Sequence, residues 1–194
     1  MDEDTGGFPP FATPEELRIF LRREQGQLDE HLAVLMLDMA GDAIRAETRQ
    51  ILDEVVDDEL TIDRPGGGRI LCLPELPVTA VSAVVEHGVA LTHGVDYTWA
   101  GSGVLTRIGR CWPTEQRAVT VTYTHGYPPR RRPGILRTVA LQIAGRAVIN
   151  PEQVTQLSIG DYSRSWQTAG TGRTGRIELT DWERTQLAEL RRYR

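Results

Sequence analysis

The hydrophobic period of this chain changes twice, and that double change constrains its fold more than any single motif. From Leu28 to about Gln50 the apolar residues recur at spacings of three and four. From Ile51 to Tyr127 they alternate in short runs broken by turn residues, and from Leu136 the helical spacing returns. A helix buries a stripe and a strand buries one face, so neither pattern can serve the other element. The expectation is an α+β fold. A small helical core is made of two N-terminal helices and one long helix in the C-terminal half, with an antiparallel β module inserted between them and a C-terminal docking arm.

Local signals place the boundaries. Residues 1–12, with Gly6-Gly7 and Pro9-Pro10, read as a flexible arm. Thr13-Pro14-Glu15-Glu16 is a helix start with a capping box, and the stripe Leu17, Phe20 and Leu21 runs on to a stop at Gly26. In the second helix Leu28, Leu32, Leu35, Met36, Met39, Ala43 and Ile44 form the stripe expected to face the core. Residues 13–50 and 133–150 are thus the helical core, and 51–127 the inserted β module. Within the module Val56, Leu60 and Ile62 alternate, and Val78 to Glu86 is a longer strand. Val104-Leu105 returns as a hairpin after Gly101-Ser102-Gly103, and Val119, Val121 and Tyr123 alternate with threonines. Tyr127 to Pro133 reads as a stiff, extended connector containing Arg130, Arg131 and Arg132. Residues 151–175 are a linker with one short strand near Tyr162. Residues 176–194 are a helical arm opening on the capping box Thr180-Asp181-Trp182-Glu183.

Composition narrows the classes. Of 194 residues 40% are hydrophobic and 25% charged, ordinary for a globular chain. No stretch approaches the ~18 apolar residues of a membrane span, and the start Met1-Asp2-Glu3-Asp4 is acidic where a secretory signal is basic, so synthesis in a cytoplasm is expected. Cys72 and Cys111, without CxxC spacing, are expected to be buried core thiols. All 22 basic residues are arginine. Residues 1–63 hold 17 acidic residues against 5 arginines, a net of −12, and the remainder hold 10 against 17, a net of +7. The first part should repel polyphosphate, and the second could meet an acidic partner.

Nothing in the pattern assembles chemistry. Gly170 to Gly175 spells GxGxxG, but polar residues precede it and too little chain follows for a βαβ unit, so it is a linker. His87, His93 and His125 each precede a glycine, which is turn chemistry rather than a converging set of zinc ligands. Asp57-Asp58-Glu59 reads as a solvated strand edge. Two groups remain as contact candidates. Trp182, Leu187, Leu190, Arg191, Arg192 and Tyr193, in and after the last helix, read equally as a docking face or as a last piece of core. Arg130, Arg131 and Arg132 could meet phosphate or a protein partner. No catalytic, cofactor-binding or metal-binding residue is expected. A metal-dependent protein using the histidines and a DNA-binding protein using the arginine run are the weaker readings from other classes.

Several segments together resemble the head-to-tail adaptor (connector) proteins of long-tailed bacteriophages, of the siphophage type with high-GC hosts. They are Thr13 to Leu17, Ile44 to Thr48, Leu73 to Thr79, Gly94 to Trp99, Val119 to Tyr127, Gly160 to Ser163 and Leu179 to Glu183. The likeness extends over about residues 12–194. It implies a virion structural protein without enzymatic activity, assembled as a dodecameric ring at the neck between capsid and tail. Its partners would be the portal protein, a stopper or tail-terminator protein and copies of itself, with DNA passing through the channel without sequence-specific contact during genome ejection. Another neck component, a stopper or head-completion protein, is the nearest alternative.

Overall fold

The computed structural model describes residues 7–149, 156–159, 162–165 and 179–191. The chain divides into two compact units: one runs up to Arg49 and resumes from Pro133 to Arg191, and the other spans Gln50 to Arg132. The fold is α+β, with a helical core and an antiparallel β module.

The helical unit begins with α1 (Pro14–Phe20), which opens on the expected reciprocal cap. The Glu16 amide donates to Thr13 Oγ1 at 3.2 Å and the Thr13 amide donates to the Glu16 carboxylate at 2.9 Å. It ends at Phe20, well before Gly26, because Arg22 takes a left-handed conformation (φ 53°) and its amide turns back to the Ile19 carbonyl. The second helix, α2 (Glu30–Thr48), is capped by Asp29 and closed by Arg49 at φ 57°. The third, α3 (Gly134–Ile149), buries Leu136, Val139, Ala140, Ile143, Ala144 and Gly145. The Asn150-Pro151 stop lies outside the described residues.

α2 corrects the stripe read from the sequence. Its buried residues are Ala33, Leu37, Ala40, Gly41, Ile44 and Thr48, whereas Leu32, Leu35 and Met39 are exposed. The small side chains win the interior because they let the backbones of α2 and α3, the most extensively packed helix pair, approach closely. Residue size suggested the other face. A two-stranded hairpin, β8 (Gln156–Ile159) paired antiparallel with β9 (Tyr162–Ser165), replaces the single short strand expected there. The last helix is α4 (Asp181–Leu187).

The second unit is built of β-strands, with one 3-10 turn near its end. One sheet has the order β1 (Val55–Ile62), β7 (Val119–His125), β3 (Val78–Glu86), β4 (Val89–Ala90), and the other β2 (Ile70–Cys72), β6 (Val104–Arg107), β5 (Tyr97–Trp99). Every strand pairing is antiparallel. Leu71, Tyr97 and Leu105 from the smaller sheet share one core with Val78, Val84, Val119, Val121 and Tyr123 from the larger, closed by Trp112. β7 is central, and its alternation of valines and Tyr123 against threonines is the reason.

Two sequence expectations fail in this unit for local reasons. β1 carries a bulge between Val55 and Asp58, with Asp57 at φ 51°. The extra residue reverses the side-chain phase, so Val56 is exposed while Leu60 and Ile62 pack on the core. Cys72 and Cys111 are exposed, not core. Cys72 follows the inward Leu71 on β2 and so faces out, and Cys111 stands beside the buried Trp112.

Candidate functional site

The expected docking helix is capped as the sequence indicated. The Glu183 amide donates to Thr180 Oγ1 at 3.3 Å, and the Thr180 amide donates to Glu183 Oε2 at 2.7 Å. The same carboxylate, fully buried, accepts two hydrogen bonds from the Arg146 guanidinium of α3, at 2.6 and 3.0 Å. A bidentate, charge-assisted pair of this kind fixes orientation as well as energy. Leu187 is fully buried four residues on. Arg191 pairs with the Glu47 carboxylate of α2 and also donates to the Glu47 carbonyl at 3.3 Å, with Arg184 3.9 Å from the same carboxylate. α4 therefore lies against α2 and α3 of its own helical unit.

The six candidate contact residues are consequently not one face. Leu187 points into the helical unit and Arg191 is held by Glu47. Trp182 is 49% exposed and Leu190 partly exposed. Arg192 and Tyr193 lie outside the described residues. Sequence reasoning missed Glu183 as anything more than a cap, because its partner Arg146 stands 37 positions away. No local spacing announces such a pair.

Arg130, Arg131 and Arg132 also separate. The connector is a 3-10 turn over Pro129–Arg131 rather than an extended segment. Pro129 at its first position has the preset backbone angle that such a turn needs. Arg130 and Arg131 are exposed. Arg132 instead donates to the buried Asp53 carboxylate at 2.6 Å. This pair belongs to a clasp where the β unit begins and ends: Asp53 forms a parallel bridge with Tyr127, and the Tyr127 amide donates to the Leu52 carbonyl at 3.0 Å. Burial pushes the Tyr127 phenol above its ordinary pKa. Gly126, at φ 83°, passes so near that a Cβ would stand 2.0 Å from the Asp53 carbonyl oxygen. No other residue fits there.

The histidines sit apart in function. His87 and Gly88 (φ 50° and 78°) make the two-residue turn between β3 and β4. His93 forms an isolated bridge with Tyr97, before Gly94 at φ 80°. His125 is fully buried, 3.3 Å from Asp58. Among the described residues no group of three or more His, Cys, Asp or Glu could hold a metal ion. The strongest charge cluster, around the buried Arg107, is structural. Its Nε donates to Glu86 at 3.0 Å, Arg110 reaches the other Glu86 oxygen at 3.0 Å, and the guanidinium lies over Trp112. Asp96 beside it is held below the usual carboxylate range, first by the Thr92 amide and then by Arg107. Among the described residues no helix is long and apolar enough to cross a membrane.

With this geometry in place, comparison with known proteins yields a likeness of shape. One solved chain comes from the neck of an empty GTA particle computed with C6 symmetry. It superposes with a TM-score of 0.57 at 18% identity, covering 93% of this chain and 89% of the other. The chain is similar in fold to a neck subunit. A second, from the neck of a native GTA particle computed with C12 symmetry, gives 0.52 at 16% identity, covering 93% and 91%. No family profile matches the sequence, and no curated protein matches it.

Proposed function

We propose that the chain is a structural subunit of a virion neck. Copies of it would form an adaptor ring, a dodecamer, between the portal and the stopper or tail, and it would perform no enzymatic step. The observation that carries this reading is the fold likeness to two neck chains. What lies outside the superposition is shorter than either unit, so both the helical unit and the inserted β unit take part in the match. The net of −12 over residues 1–63 suits a channel through which DNA must slide, since few cations are available there to displace the counterions of the duplex. Trp182 on α4 and Leu190 in the 3-10 turn after it (Ala188–Leu190), with Arg192 and Tyr193 further along the sequence, are the portal-facing candidates. Arg130 and Arg131 are the exposed cations for an acidic partner.

The test is electron microscopy of the purified chain mixed with tail-less heads that carry a portal. The expected result is added ring density at the portal vertex, reduced by Trp182→Ala. Heads that never acquire that density would overturn the proposal.

A further inference from the structure

α2 is apolar on two opposite sides. At 100° per residue, Leu32, Leu35 and Met39 fall within about 60° of each other and roughly 160° round the helix from the centre of the buried stripe. All three are exposed, Leu35 at 53%. A helix with an apolar stripe on each side is normally covered on both. Asp42 and Asp38 border the outer stripe next to Leu35. Asp38 has no basic partner among the described residues, and Asp42 has only a 3.6 Å approach from Arg45.

The same unit carries a second apolar patch with the opposite border. At the end of α1, Ile19 (60%) and Phe20 are exposed, and Arg22 and Arg23 follow, both exposed and neither with an acidic partner among the described residues. A contact that repeats head to tail needs two unlike, complementary surfaces on one chain. An acid-bordered stripe and an arginine-bordered knob meet that requirement. From this complementarity we infer that the outer stripe of α2 is the seat of a second copy of the chain, which inserts Ile19 and Phe20 against Leu32, Leu35 and Met39 and sets Arg22 and Arg23 against Asp38 and Asp42. The inference rests on the ring reading above and assigns the face on which neighbouring copies meet.

Two measurements on the full chain separate the possibilities: self-association by sedimentation velocity over a wide concentration range, and binding to portal-bearing heads. The wild-type chain associates, and Leu35→Asp weakens that association at least about tenfold, since a well-buried leucine contributes that much. Leu32→Ser repeats the effect with a smaller change. Reversal of Arg22 and Arg23 to Glu weakens association too, and Asp38→Arg with Asp42→Arg in the same chain restores it. Val89→Asp, an exposed site on β4, changes nothing. Circular dichroism confirms that each variant folds.

A wild-type chain that stays monomeric at every concentration overturns the inference, as do Leu35→Asp and Leu32→Ser associating like wild type. Loss of head binding with self-association unchanged would assign the stripe to a different neck protein and overturn it as well. Failure of the ring reading looks different: a chain that self-associates through this face yet never binds heads.

Discussion

Replacing Glu183 with Ala is the sharpest test of how the last helix is used. The carboxylate is fully buried and serves two masters, the Thr180 amide at 2.7 Å and the Arg146 guanidinium at 2.6 and 3.0 Å. Thr180 still caps the helix through the backbone amide of residue 183, but loss of the hydrogen bond from the Thr180 amide to the carboxylate costs about 1 kcal/mol. Breaking a wholly enclosed ion pair costs about 3–5 kcal/mol. Arg146 is 35% exposed, so its charge rehydrates and the loss is smaller, about 1–2 kcal/mol. The two together make about 2–3 kcal/mol. For a chain of this length each kcal/mol lowers Tm by about 2–4 °C, so the variant should melt about 5–10 °C lower. The assay is thermal melting followed by the helical circular dichroism signal at neutral pH, with the exposed Asp181→Ala as control, expected to shift stability by no more than about 0.5 kcal/mol. A Glu183→Ala chain that melts with wild type would refute the reasoning and make α4 a free arm.

Three further outcomes are expected. Gly126→Ala should destabilise the β unit by about 3 kcal/mol or more, read by urea denaturation, because the new methyl collides with the Asp53 carbonyl at a positive φ. Glu16 is held below its ordinary value of 4.5, first by the Thr13 amide; burial opposes this, and Arg137 adds to the lowering. A depressed folded pKa means that its stabilisation is present above 4.5 and disappears as pH falls through the folded value. Glu16→Gln should therefore lower stability at neutral pH and narrow its difference from wild type in acid, measured by denaturation at both pH values. Both thiols, Cys72 and Cys111, should react with a disulfide reagent in the native state, and a second thiol that appears only in denaturant would contradict the exposure of one of them.

What the sequence disclosed was local. Thr13 with Glu16 and Thr180 with Glu183 are caps written within four residues, and both formed as read. The alternation of β7 was legible because a central strand needs it on its core face. Three things were not. The interior of α2 belongs to Ala33, Ala40 and Gly41, and size-weighted reading favours Leu32, Leu35 and Met39 instead. The bulge at Asp57 depends on one aspartate accepting a left-handed backbone, which no neighbouring residue signals, and it turned Val56 outward. The ion pairs Arg146–Glu183 and Arg132–Asp53 join positions 37 and 79 apart, so they exist only once the chain has folded. The candidate contact residues suffered from the same cause. A charge in a sequence looks available until its partner arrives from elsewhere, as Glu47 does for Arg191.

The pinning of Asp53 to Tyr127 and Arg132 makes residues 50–132 a cassette whose two leads leave side by side. Loops inside such a cassette can lengthen, shorten or be exchanged while the spacing of its own two ends stays the same. Selection can then retune what the strands touch without renegotiating the scaffold. A graft that swaps the interior but keeps Asp53, Gly126 and Arg132 should be tolerated far better than one that cuts across them.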